Sequence, residues 1–259
     1  MEAEKIKKVV VVGAGSMGHG ITQILAMANY NVAMVDISDE FLQKGMEKIK
    51  WSLDKIVEKR RIRREDADAA ISRIMTTTSY EKAGENADLA IEATPEKLDL
   101  KKTIFAKLDA ATPEHAILVS NTSTLSITEM GRATKKPDKV AGMHFFNPPQ
   151  IMQLVEVIKG DDTAEQTLNA VVGVTNKLGK TPVIVKKDVR GFIVNRVLGA
   201  VFNEAFWTLH RGEATKDSFA WQFDDSRRFV KAWQRRTEEK VHSAACKRRH
   251  DRRGGFHRS

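Results

Sequence analysis

Three glycines and an aspartate carry the first chemistry in this chain. Gly13, Gly15 and Gly18 follow the β-branched run Val9-Val10-Val11-Val12 and fit G-x-G-x-x-G, with Ala14, Ser16 and Met17 between them. The first glycine permits a tight turn out of a strand. The second lets a pyrophosphate approach the backbone, and the third lets the next helix lie close to the sheet. A helix that starts there offers free N–H groups and a positive dipole end to a phosphate. Asp36 ends the next apolar run, Val32-Ala33-Met34-Val35. A carboxylate there accepts hydrogen bonds from the adenosine ribose hydroxyls and repels a 2′-phosphate, which favours NAD over NADP. The bare glycine motif also occurs in ordinary turns; strand, helix and acid together set this one apart.

His144 is the second chemical candidate. It closes the run Val140-Ala141-Gly142-Met143. An imidazole titrates near neutral pH, which suits reversible proton transfer. Taken alone, such a histidine is more often a satisfied polar group at a strand end. Glu156 follows twelve residues later. That is too far for one helix face but suits two extended neighbours joined through Pro148-Pro149. Glu156 also reads as one exposed alternation in a strand. Ser123 also reads as turn chemistry before the capping box Ser126-Ile127-Thr128-Glu129. Asn195 also reads as a polar residue on an amphipathic helix.

The elements that must position these residues alternate. Ile21, Ile24, Leu25 and Ala28 form one helical face after the glycines. Residues 39–64 read as a long helix with an apolar seam at Leu42, Met46, Ile49, Leu53 and Ile56. A shorter helix over 66–75 would run back, giving a helical hairpin. Further strands are expected at 88–92, 116–119, 140–143, 154–158 and 182–185, with helices after residue 98 and over 164–178. The pattern predicts an α/β fold with a doubly wound, mostly parallel Rossmann sheet and a helical hairpin insertion. Ligands bind such sheets at the carboxyl ends of the strands. Asp36, Ala93, Ser123 and His144 all fall there.

Composition sets bounds. Hydrophobic residues make up 41% and charged residues 30% of the 259 positions, ordinary for a soluble protein. No apolar run spans a membrane, and the first strand begins too early to leave room for a signal peptide. The single cysteine, Cys246, excludes an internal disulfide and a cysteine metal cluster, so a cytoplasmic home is expected. Net charge is +9, of which residues 217–259 carry +6 through 12 Lys+Arg against 6 Asp+Glu.

The segment from Met143 to Glu156, with His144-Phe145-Phe146-Asn147-Pro148-Pro149 inside it, resembles the signature of the L-3-hydroxyacyl-CoA dehydrogenases. So do Gly13 to Gly18, Ile91-Glu92-Ala93, Ser120-Asn121-Thr122-Ser123 and Gly191-Phe192-Ile193-Val194-Asn195-Arg196. The matches keep family order from about residue 7 to 216. They look most like the single-function 3-hydroxybutyryl-CoA dehydrogenases of bacteria and archaea. The resemblance implies reversible NAD-dependent oxidation of a short (S)-3-hydroxyacyl-CoA. It implies His144 as general base, oriented by Glu156, with Ser123 and Asn195 on the substrate's 3-oxygen or on the base. Gly13, Gly15, Ser16, Met17, Gly18, Asp36, Ala93, Glu96, Lys101, Ser123 and Asn147 would serve the cofactor. Ser52 and Lys59 on the hairpin would contact CoA, where charge alone reads only as a solvated face. No metal is implied.

The resemblance also implies a domain plan: an NAD-binding domain over 1–187, then the start of a helical, homodimer-forming substrate domain at 188–216. Beyond that, residues 217–259 form a basic tail with no family likeness. We read the tail as a frameshifted or prematurely ended reading frame, a hypothesis that sequencing the coding DNA tests. A basic arm for nucleic acid, with Trp221, Phe229, Trp233 and Phe256 for stacking, is the lesser reading. His242, Cys246, His250 and His257 are too loosely spaced for a zinc site. An incomplete helical domain would leave a catalytically impaired NAD-binding remnant. A relative acting on a non-CoA hydroxy acid is the other alternative.

Overall fold

A computed structural model describes residues 2–215. The tail 217–259, with its basic, aromatic, histidine and cysteine features, lies outside the described residues. Eight strands form one sheet: β1 (Lys8–Val12), β2 (Asn31–Val35), β3 (Ile74–Thr77), β4 (Leu89–Glu92), β5 (Ile117–Ser120), β6 (Val140–Phe145), β7 (Leu154–Ile158) and β8 (Thr181–Val185). Their order is β3-β2-β1-β4-β5-β6-β7-β8. All neighbours are parallel except β6 and β7. This is the expected doubly wound sheet, and its order reverses between β1 and β4, where such sheets open a ligand crevice.

Among the described residues eight α-helices accompany the strands: α1 (Gly18–Met27), α2 (Asp39–Glu58), α3 (Arg64–Ser72), α4 (Tyr80–Gly84), α5 (Leu98–Ala111), α6 (Ile127–Gly131), α7 (Glu165–Lys177) and α8 (Val194–His210). The central strands are apolar on both faces and wholly buried, as a covered parallel sheet requires. One core side holds Val9, Val11, Ile21, Leu25, Met34 and Ile49; the other holds Val10, Ala90, Phe105, Leu108 and Leu118. Pro182 is tolerated in β8 because that strand lies at the sheet edge.

The hairpin differs from its expected limits. The α2 helix ends at Glu58, not at residue 64, and Arg60 takes a φ of 55°. The apolar seam explains this: its next position after Ile56 falls on Arg60, inside a basic run with nothing to bury. The α3 helix ends at Ser72, and Ile74 and Met75, expected as the end of that helix, belong instead to β3, a strand parallel to β2. Four residues rich in β-branched side chains pair more favourably at the sheet edge than they extend a short helix.

The chain forms two compact units, the first Met1–Val197 and the second beginning at Leu198. Residues 188–197, expected with the helical domain, are tied into the first unit. Asp188 accepts hydrogen bonds from the Ser126 hydroxyl and Thr128 N–H at 2.6 and 2.8 Å, and Phe192 is buried. No helix among the described residues is long and apolar enough to cross a membrane.

Candidate active site

His144 and Glu156 face each other directly in the antiparallel β6–β7 pair. That register makes a twelve-residue separation into a side-chain contact. His144 Nδ1 lies 2.8 Å from Glu156 Oε2, and both groups are buried. The other oxygen, Oε1, accepts the backbone N–H groups of Ile193 and Val194, each at 2.9 Å. Glu156 therefore binds the N-terminal end of α8, where a carboxylate is favoured. Burial pushes its carboxyl up, but the bonds from His144, Val194 and Ile193 outweigh burial and hold it below the ordinary carboxylate value. An ionised carboxylate only accepts, so Nδ1 carries a proton towards it, and in the neutral ring Nε2 is then the acceptor. Ser123 Oγ lies 3.1 Å from Nε2, within hydrogen-bond reach.

Around this pair the chain builds a cavity of about 230 Å³. It is lined by Met17, Asn121, Ser123, His144, Phe145, Phe146, Asn147 and Asn195. Met17, Ser123, His144, Asn147 and Asn195 are thus brought together. Asn195 Nδ2 donates to the Ser123 carbonyl at 3.3 Å, so it holds the serine's backbone. Asn121 Oδ1 accepts the Phe145 N–H at 2.8 Å and ties β5 to the end of β6. The His144 ring packs against Phe146 and Phe192, with centroids 4.6 and 5.8 Å away. Asn121, Phe146 and Phe192 were not expected in the site. Each lies inside one of the segments that carry the family resemblance, which is the signal that could have found it.

The glycine turn lies at the crevice. Gly13 has a φ of 103°, and a Cβ there would sit 2.7 Å from the Ala93 carbonyl oxygen. A Cβ on Gly18 would overlap the Gly13 carbonyl. A Cβ on Gly15 would meet nothing within 4 Å. The turn thus needs glycine at 13 and 18 for its own geometry, while Gly15 faces open space. Asp36 accepts the N–H of Ala14 at 2.6 Å and of Ile37 at 2.7 Å. Beside it opens a cavity of about 490 Å³. Gly13, Gly15, Asp36 and Ala93 line it with the apolar groups Ile37, Phe41, Tyr80, Leu100 and Ile104. The glycine turn and the apolar slot beside it fit a dinucleotide: the turn would hold its phosphates and the slot its adenine. Ser16 is exposed at the turn.

Lys101 lies beneath this lining. Its ammonium is buried and held by Glu92 at 2.7 and 2.9 Å and by the Thr94 carbonyl at 3.1 Å. Glu96 bonds the loop that carries Ser123. Ser52 is half-buried on α2, and Lys59 is exposed as its C-cap. Neither lines the His144 cavity. Among the described residues no group of three His, Cys, Asp or Glu side chains could hold a metal ion.

A Rossmann sheet with a dinucleotide turn on one side of its crevice and a carboxylate-oriented imidazole on the other defines a nicotinamide-linked oxidoreductase. Comparison with known proteins narrows this. The family model "3-hydroxyacyl-CoA dehydrogenase, NAD binding domain" matches residues 8–189. The chain is 41% identical over 214 residues to a probable 3-hydroxybutyryl-CoA dehydrogenase of Bacillus subtilis (strain 168), covering 83% of this chain and 74% of that protein. It is 40% identical over 217 residues to the mitochondrial hydroxyacyl-coenzyme A dehydrogenase of Homo sapiens, covering 82% and 69%. The crystal structure of (S)-3-hydroxybutyryl-CoA dehydrogenase from Ralstonia eutropha superposes with a TM-score of 0.80 at 42% identity, covering 83% of this chain and 75% of that one. The chain belongs to the 3-hydroxyacyl-CoA dehydrogenase family, and its cofactor is NAD.

Proposed function

We propose that this chain catalyses the reversible oxidation of a short-chain (S)-3-hydroxyacyl-CoA to the 3-oxoacyl-CoA, with His144 as general base. The observation that carries the reading is the geometry of His144, with Nδ1 on Glu156 and Nε2 met by Ser123 in a cavity that shares Met17 with the glycine turn. NAD, when bound, supplies the acceptor for the hydride that leaves C3. His144 Nε2 takes the proton of the 3-hydroxyl as the carbonyl forms, and returns it in reduction. Glu156 keeps Nδ1–H in place and stabilises the imidazolium, the base–orienter arrangement of a triad without its nucleophile. Ser123 exchanges its bond to Nε2 for one to the substrate oxygen. Asn195 holds the serine in line and offers a second donor to that oxygen. Phe146 and Phe192 keep water from the imidazole.

The test is NADH oxidation by the purified chain with acetoacetyl-CoA, beside His144→Ala. Turnover that drops at least about 10²-fold in the variant supports the reading. NADH binding without turnover in the parent chain points instead to an impaired member of the family. Turnover with 3-oxo acids lacking CoA, but not with acetoacetyl-CoA, points to a relative with another substrate.

A further inference from the structure

We propose that Glu96 is a positioning residue for proton transfer: its carboxylate shapes the loop after β5 and, through Ser123, sets the contact with His144. The proposal rests on the reading of His144 as the base. One oxygen of Glu96, Oε1, collects the Thr122 hydroxyl at 2.6 Å, the N–H groups of Ser123 and Thr124 at 3.0 Å each, and the Thr124 hydroxyl at 3.1 Å. All four donors belong to residues 122–124, which have no helix or strand to pair their backbone. The Thr122 hydroxyl is a second hub and also accepts the N–H of Leu125 at 3.0 Å.

The carboxylate is held from its other side as well. Oε2 lies 3.6 Å from the buried Lys101 ammonium, which Glu92 fixes in turn. Four donors on one oxygen call for a full negative charge. A protonated acid would bring a donor where the loop needs an acceptor. Burial pushes the Glu96 carboxyl up, but the Thr122 hydroxyl and the Lys101 charge outweigh it, so it stays below the ordinary carboxylate value. The loop so shaped delivers Ser123 Oγ to His144 Nε2 at 3.1 Å, and Asn195 steadies the Ser123 carbonyl from the opposite element. Glu96 thus acts through another side chain, over a span that no sequence spacing reveals.

A double-mutant cycle tests this on the full chain, using Glu96→Ala, Ser123→Ala and the pair. We would read kcat with acetoacetyl-CoA and NADH, the Kd for NADH, and the His144 ring signals by NMR on cofactor-free protein. Glu96→Ala should lower kcat at least about tenfold, and the pair should be no slower than Ser123→Ala alone within about twofold. Glu96→Gln, which keeps an acceptor oxygen, should recover part of the loss. In cofactor-free protein the His144 ring signals of Glu96→Ala should move to where Ser123→Ala puts them. Losses that multiply, an effect confined to the NADH Kd, or unmoved ring signals would overturn the proposal. If the parent chain does not turn over acetoacetyl-CoA, the functional reading fails and the ring signals still decide the positioning claim. If Glu96→Ala does not fold, Thr124→Val removes one of the four donors. It should shift the ring signals in the same direction by less, and unmoved signals there would overturn the claim.

Discussion

At the scale of single residues, the role proposed for the buried His144–Glu156 pair implies both a rate effect and a pH dependence. Gln in place of Glu156 keeps the shape but loses the charge that backs the imidazolium. Glu156→Gln should therefore lower kcat by about 10²- to 10⁴-fold, measured with acetoacetyl-CoA and NADH. The same change alters acid stability, and the sign follows from the lowered carboxyl. A group whose folded value lies below its ordinary 4.5 stabilises the fold fully above that value. Its contribution is lost as pH falls through the lower folded value. Urea midpoints of the parent should thus fall between neutral pH and the acid range more steeply than those of Glu156→Gln. Parallel curves would sink the argument. The pair was half legible in the sequence. A histidine at the end of one apolar run and a glutamate in the next placed them on neighbouring strands. That Glu156 also binds the N–H groups of Ile193 and Val194 was not legible, because backbone donors leave no mark in residue type. Lys101 is a case where the resemblance alone pointed to the cofactor site, and its burial against Glu92 depends on where α5 packs.

At the scale of elements, the alternation of strands and helices was readable, while the hairpin's limits and its edge strand were not. The β1–turn–α1 unit announces itself through glycine spacing, α5 follows residue 98 as expected, and α7 lies within a residue of its expected limits. The four-residue β3 was hidden, since its sequence also continues the α3 pattern and only pairing with β2 decides it. The α2–α3 hairpin carries the remaining functional expectation. Its half-buried Ser52 and exposed Lys59 lie outside both cavities, so they can serve only a part of the substrate remote from C3. An exposed charge contributes little, about 1 kcal/mol at most. Ala at either position should raise KM for acetoacetyl-CoA by roughly two- to fivefold, with kcat and the NADH Kd unchanged. A change in the NADH Kd instead would remove the hairpin from the CoA side.

At the scale of the molecule, the sheet separates two tasks that meet at its carboxyl edge. The glycine turn and Asp36 lie at the ends of β1 and β2. His144 and Glu156 lie on β6 and β7, across the point where strand order reverses. Cofactor binding and proton transfer should therefore fail independently. A ligand at about 100 times its Kd stabilises the folded state by about 2.7 kcal/mol, which is several degrees in Tm for a unit of this size. Saturating NADH should raise the Tm of the parent chain and of His144→Ala alike. Gly15→Ala should keep the unliganded Tm, because a Cβ there meets nothing within 4 Å, yet lose the NADH-induced rise by filling the phosphate cradle. Gly18→Ala should lower the unliganded Tm outright, since its Cβ overlaps the Gly13 carbonyl and the turn cannot close. If His144→Ala also loses the rise, the two tasks share one folding or binding event. The independence read from the strand order would then be wrong.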